Sequence, residues 1–183
     1  MRTLLVVAST IAVAFLSPAR ADQKVDVLGL SAGMPSDAVT NVVKEKGWTC
    51  RNTNAPMSPI APDPDTGDIS FSCNTSTGQL NLMLAGSLSE RPLAYLRLFF
   101  NSADNIANVS ESISKQYGVD STVSSNGGLL GQGYSWKLNN GSVLEMFYVS
   151  DKYMLNLYSK SILEQNLKAK AAKVLARHPA PKF

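Results

Sequence analysis

The chain has 183 residues, with 17 basic side chains, 14 acidic side chains and one histidine. Its basic excess lies at the end, because residues 160–183 hold 6 basic groups and 1 acidic group, while residues 22–159 hold 9 basic and 13 acidic groups. This distribution argues against a nucleic-acid-binding body. The single histidine, His178, lies in the tail, which disfavours Ser–His and Cys–His nucleophile systems and a histidine metal site.

The first 21 residues have the pattern of a secretory signal peptide. Arg2 precedes an apolar run at residues 4–16, and Ala19-Arg20-Ala21 matches the small-x-small motif of a cleavage site. The run is shorter than the roughly 20 residues that span a bilayer, so cleavage is favoured over a retained anchor. We predict cleavage between Ala21 and Asp22, and a periplasmic or secreted product. Because Asp22 is not a cysteine, the new N-terminus offers no acceptor for a lipid anchor.

The two cysteines, Cys50 and Cys73, both lie in the part predicted to be exported. In an oxidising compartment this favours a disulfide between them. A metal pair or a redox couple is disfavoured, since the spacing is not C-x-x-C and no histidine lies nearby.

The first predicted unit, at about residues 28–101, contains one helix and three strands. The helix covers residues 35–46, with Asp37 in the first turn, where the helix dipole favours an acidic side chain, and Gly47 as the stop. A proline-rich loop follows at residues 51–67. Alternating apolar and polar residues then predict antiparallel strands at residues 69–73, 80–84 and 95–101.

The second predicted unit, at about residues 102–160, repeats this order. Ile106, Val109, Ile113 and Tyr117 have helical spacing, and Gly118 ends the helix. After a Ser/Gly-rich loop at 119–133, alternation predicts strands at residues 134–138, 142–149 and 153–159. Asn140-Gly141 is a strong signal for a hairpin with a type I′ turn.

We therefore predict one exported α+β domain over residues 22–160, in which two αβββ units form an antiparallel sheet with the helices on one face. Residues 161–183 are predicted to form a basic C-terminal amphipathic helix and tail. One side of that helix is apolar and carries Leu163, Leu167, Ala171 and Val174. Packing of this side on the domain is favoured over contact of residues 161–177 with an anionic membrane surface or a partner.

Three short motifs resemble functional sequences, but each lacks a required part. Residues 63–68 hold three aspartates without the Gly and Glu positions of an EF-hand loop. Ser112 and Lys115 match S-x-x-K, but the K-T-G element of penicillin-recognising enzymes is missing. Residues 126–133 are rich in glycine but lack the lysine of a P-loop. We predict no catalytic residues, no metal site and no cofactor.

The second face of the predicted sheet is the candidate binding surface. If the leucines face the helices, nine side chains point the other way: Met83, Tyr95, Arg97, Phe99, Met146, Tyr148, Met154, Asn156 and Tyr158. Tyr, Met, Arg and Phe are enriched at protein interfaces. This face could instead be covered by the C-terminal helix or by a dimer mate.

The residues 30–43 and 47–50, followed by "ISFSC", resemble the modules of secreted β-lactamase-inhibitor proteins. The opening Gly33-Met34 and its helix also resemble the BamE (SmpA/OmlA) outer-membrane assembly lipoproteins; the further matching positions are Val39, Val42, Cys50 and Cys73. The resemblance implies a small helix-plus-sheet, non-catalytic module of the bacterial envelope.

The sequence thus favours an exported, non-catalytic binding or protein-interaction module that acts through an aromatic and Met-rich sheet face on another envelope protein. Two alternatives remain open. One is a small hydrolase that works without histidine, and the other is a peripheral membrane-surface protein held by its basic C-terminal helix.

Overall fold

The computed structural model describes residues 26–53, 67–124 and 133–177. The first half contains α1 (Ser36–Glu45), β1 (Thr49–Asn52), β2 (Ile69–Asn74), β3 (Gly78–Leu84) and β4 (Leu93–Phe100). The second half contains α2 (Ile106–Tyr117), β5 (Thr122–Ser124), β6 (Gly133–Lys137), β7 (Ser142–Val149) and β8 (Lys152–Ser159), followed by α3 (Lys160–Arg177). The predicted signal peptide, Asp63 and Asp65, the glycine-rich residues 126–132 and His178 lie outside the described residues.

All eight strands join one antiparallel sheet in the order β1-β2-β3-β4-β8-β7-β6-β5. The predicted α+β class, the antiparallel sheet and the C-terminal helix are confirmed. Helices α1 and α2, however, are each followed by four strands rather than three. The additional strands, β1 and β5, are short edge strands whose side chains are mostly exposed, so neither shows the alternating burial that identifies a strand in a sequence.

The core lies between one face of the sheet and the helices α1 and α2. The leucines of β3, Leu80, Leu82 and Leu84, are buried there, as their alternation predicts. Val39 of α1 is buried against them, and α2 packs Val109 and its neighbours on the same cluster. Both predicted helices therefore lie on the leucine face.

The turns that set the strand register differ from the expected ones. Asn140-Gly141 does form a turn, but the loop is closed by a hydrogen bond from the Leu138 amide to the Ser142 carbonyl, and only Gly141 has a positive φ, of 76°. The tight two-residue turn with positive φ at both positions is instead at Ser150 and Asp151, between β7 and β8. This turn fixes which side chains of β7 share a face with those of β8.

The predicted disulfide between Cys50 and Cys73 is present. The two residues are directly opposite each other in β1 and β2, so the bond fastens an edge strand to the sheet. Closing a loop of this size stabilises a fold by roughly 3 kcal/mol in the chain-entropy treatment. Such bonds are typical of exported proteins in oxidising compartments. None of the described helices is both long and apolar enough to cross a membrane.

Candidate functional site on the outer sheet face

The outer face, which we define as the sheet face opposite α1 and α2, carries three rows of side chains across β3, β4, β8 and β7. The middle row is polar and consists of Asn81, Arg97, Asn156 and Glu145. One flanking row consists of Met83, Tyr95, Tyr158 and Val143, and the other of Gln79, Phe99, Met154 and Phe147. A polar strip thus lies between two largely apolar strips.

Seven of the nine predicted binding-face residues lie on the outer face: Met83, Tyr95, Arg97, Phe99, Met154, Asn156 and Tyr158. The placement of Met146 and Tyr148 on this face was wrong. Met146 is fully buried on the leucine face, opposite Leu155. Tyr148 lies on that same face, where its ring is 5.0 Å from the ring of Tyr153.

Val143, Glu145 and Phe147 are outer-face residues of β7 that the sequence pattern missed. β7 has buried apolar side chains on both faces, so its hydrophobic pattern does not distinguish them. The turn at Ser150 and Asp151 is the feature from which the correct face of each β7 side chain could have been predicted. A two-residue turn there pairs Val149 with Lys152 and, by counting back, places Glu145 opposite Asn156.

Asn156 is the centre of a hydrogen-bonded cluster that joins the two halves of the sheet. Its side chain is 4% exposed. Its Oδ1 accepts a hydrogen bond of 2.6 Å from the hydroxyl of Tyr95 and one of 2.9 Å from Nε of Arg97. Both donors lie on β4 and the acceptor on β8, so the cluster forms only when these strands pair.

The Arg97 guanidinium lies among aromatic rings. Its central carbon is 5.4 Å from the ring centre of Tyr95 and 6.0 Å from that of Phe99, within the range of cation–π attraction. The rings of Tyr95 and Tyr158 are stacked at 6.3 Å. Within the described ranges, the ion pairs are Lys115–Glu111 and Lys170–Asp68, and Arg97 has no carboxylate partner.

A pocket of about 380 Å³ lies over this cluster. Three polar side chains of the middle row, Arg97, Asn156 and Glu145, line it together with the two stacked tyrosines. The apolar lining consists of Phe147 and Met154 of the sheet and Leu163 of α3. The ring of Phe147 occupies the space that a side chain at position 133 would need, which explains the glycine found there. The lining thus combines a guanidinium, an amide, a carboxylate and two phenols with apolar groups.

The two tyrosines of the pocket hold their protons tightly. Burial, followed by the charge of the neighbouring Glu145 carboxylate, raises the pKa of Tyr158 to about 12. Burial also raises the pKa of Tyr95, although the positive charge of Arg97 acts in the opposite direction. Both phenols therefore remain neutral hydrogen-bonding groups at physiological pH.

The C-terminal helix α3 is fastened to the domain by polar contacts. Asn166 is 4% exposed; its Oδ1 accepts from the Ser87 amide at 3.0 Å, and its Nδ2 donates to Oδ1 of Asp68 at 2.7 Å. Nζ of Lys170 is 3.0 Å from Oδ2 of the same carboxylate. Of the predicted apolar side, Leu163 is half-buried against the domain. The expected packing was wrong for Leu167, Ala171 and Val174, which are exposed.

The residues of the S-x-x-K motif do not line a pocket. Ser112 is exposed on α2 and donates to the Asn108 carbonyl, while Lys115 is paired with Glu111. In the described part of the chain, no group of three or more His, Cys, Asp or Glu side chains could hold a metal ion.

Comparison with known proteins gave no match. No protein-family model matches the sequence, and neither a curated protein nor a solved structure is significantly similar to the chain. The resemblance to β-lactamase-inhibitor and BamE-type modules therefore stays a prediction.

The environment of Tyr158 can be tested by pH titration. We expect its phenol to ionise near pH 12, and Glu145→Gln to lower that pKa while leaving it above the ordinary value of about 10, because burial is the larger cause. Because the folded-state pKa is raised, the stability that Tyr158 contributes is present below pH 10 and is lost as the pH rises towards 12.

Carbon-13 NMR of the tyrosine ζ carbons, assigned with Tyr158→Phe, measures this directly. The matched control is Glu111→Gln, which removes an exposed carboxylate from α2 and should leave the Tyr158 titration unchanged. Ionisation of Tyr158 near pH 10 in the intact protein would contradict the described environment.

Proposed function

We propose that the protein is an exported, non-catalytic module that binds another envelope protein on its outer sheet face. The observation that carries this proposal is the polar row around Arg97 and Asn156, set between two largely apolar rows on the central strands. Tyrosine and arginine are among the residue types that supply most of the binding energy at protein interfaces, and methionine is enriched there. Their positions on paired strands keep them preorganised for a partner.

The exported location is proposed on two grounds. Residues 1–21 have the sequence pattern of a signal peptide, and the Cys50–Cys73 disulfide suits an oxidising compartment. The periplasm or the outside of the cell is such a compartment. The resemblance of residues 28–74 to small envelope modules supports the same location and a non-catalytic role.

Site-specific photocrosslinking in the native host tests the binding face. We expect a photoreactive phenylalanine at position 83, on the outer face, to give a discrete adduct with one protein. The matched position is 148, an exposed tyrosine on the opposite face, which should give no such adduct. Adding Tyr95→Ala should weaken the adduct strongly, since loss of a central interface tyrosine costs about 2 kcal/mol or more.

Equal adducts from positions 83 and 148, or an adduct at position 83 that survives Tyr95→Ala at full strength, would count against the outer face as the binding surface. Circular dichroism of each variant shows whether the fold is retained.

A second candidate function, contact with an anionic membrane surface, rests on the exposed side of α3. Leu167 and Leu175 are 68% and 69% exposed, and the helix also carries an excess of lysine. Apolar side chains that enter the interface together with lysines near anionic headgroups are the features of interfacial helices. We propose this contact as an addition to the binding face.

Co-sedimentation with vesicles of phosphatidylglycerol and phosphatidylcholine tests this contact. The intact chain should pellet with the vesicles, less so at high salt, and Leu167→Gln with Leu175→Gln should reduce pelleting about tenfold or more. Val123→Gln, which replaces an equally exposed apolar residue on β5, is the control and should have no effect. Equal pelleting of the double variant would rule out α3 as the contact.

A further inference from the structure

Arg97 is a cation with donors left over in the middle of the outer-face pocket. Its Nε donates to Oδ1 of Asn156, and its guanidinium lies against the Tyr95 ring. A guanidinium has five N–H donors, and one neutral acceptor does not satisfy all of them. No carboxylate of the described residues lies within ion-pair distance of Arg97. The pocket therefore presents unused, positively charged donors.

The pocket also holds one acidic side chain, Glu145. Its carboxylate lies near the hydroxyl of Tyr158, where its charge helps to raise the pKa of that phenol. Glu145 lies on β7, separated from Arg97 on β4 by β8. The two charges therefore do not neutralise each other through a direct contact, and Arg97 remains available to an outside group.

We infer that this pocket receives the carboxylate of an Asp or Glu side chain from the protein partner. The inference rests on the proposed binding function and names the partner chemistry. A carboxylate matches the fork of guanidinium donors, and such charge-assisted pairs are among the strongest hydrogen bonds in proteins. The tyrosine rings, Phe147 and Met154 supply apolar contact for the carbon atoms around that carboxylate.

The pocket's other features select against different ligands. A lysine side chain would be repelled by the positive charge of Arg97, which lines the pocket. Phosphate groups are bound by clusters of cationic side chains, and among the residues that line this pocket Arg97 is the one cation. The volume of about 380 Å³ is at the small end of ligand pockets, which suits one side chain and its neighbour.

Peptide titration followed by NMR of the Asn156 side-chain amide tests the inference on the full chain. The probes are acetyl-Gly-Phe-Glu-Gly-amide and its Gln counterpart, which has the same shape without the charge. We expect saturable binding of the Glu peptide and binding of the Gln peptide that is at least about tenfold weaker. Arg97→Gln should reduce the Glu peptide to the affinity of the Gln peptide.

Two further variants separate recognition from loss of fold. Arg51→Gln removes an arginine from the same sheet face at the edge strand β1 and should leave binding unchanged. Glu145→Gln removes the like charge from the pocket and should strengthen binding of the Glu peptide severalfold. Since unfolding cannot strengthen binding, this gain is evidence for the pocket even if Arg97→Gln is unstable.

Several results would overturn the inference. Equal binding of the Glu and Gln peptides would show that the charge is not recognised. Tighter binding of a peptide whose only charge is a free C-terminal carboxylate would show that the pocket takes a chain end instead of a side chain. A homodimer in sedimentation that Arg97→Gln dissociates would show that the occupant is a second copy of this chain. The proposed function fails separately, through the crosslink at position 83. A crosslink without peptide discrimination keeps the binding face and rejects the carboxylate, while discrimination without a crosslink indicates a small-ligand site.

Discussion

Everything in this molecule depends on the pairing of β4 with β8. These strands are about 60 residues apart in the chain, and their ladder runs from Tyr95 opposite Tyr158 to Phe100 opposite Tyr153. On one face the ladder brings together leucines that form the centre of the core, and on the other it brings Arg97 beside Asn156. Closing so large a loop costs conformational entropy, which burial on both faces of the central strands must offset.

The same pairing explains why the candidate site is at the centre of the sheet. Tyr95 and Arg97 come from the first half, while Glu145, Asn156 and Tyr158 come from the second, so neither half contains the site alone. Central strands have hydrogen-bonded neighbours on both sides, which restrains the side chains that they carry. A partner that binds there contacts side chains that are already ordered, so binding loses little further conformational entropy.

The sequence predicted those features that depend on local periodicity. Alternating leucines identified the core-facing positions, and the residues between them identified most of the outer face. The sequence could not predict that β4 pairs with β8, because no local pattern identifies a partner strand so far away in the chain. β7 was read on the wrong face because both of its faces are apolar. The contact of α3 was missed since a helical wheel favours burial of Leu167, whereas Asn166 and Asp68 make the attachment.

Native-state hydrogen exchange tests most directly whether β4 and β8 unite the halves into one cooperative fold. The account predicts that amides in β3, β4, β8 and β7 exchange only through global unfolding, with a free energy equal to that from denaturant titration, while β1 and β5 at the edges exchange faster. The contrary result is a difference in exchange free energy between the two halves. Amides on one side of the β4–β8 ladder would then exchange at a clearly lower free energy than amides on the other side. That difference would show that the halves, and with them the two sides of the pocket, separate while each remains folded.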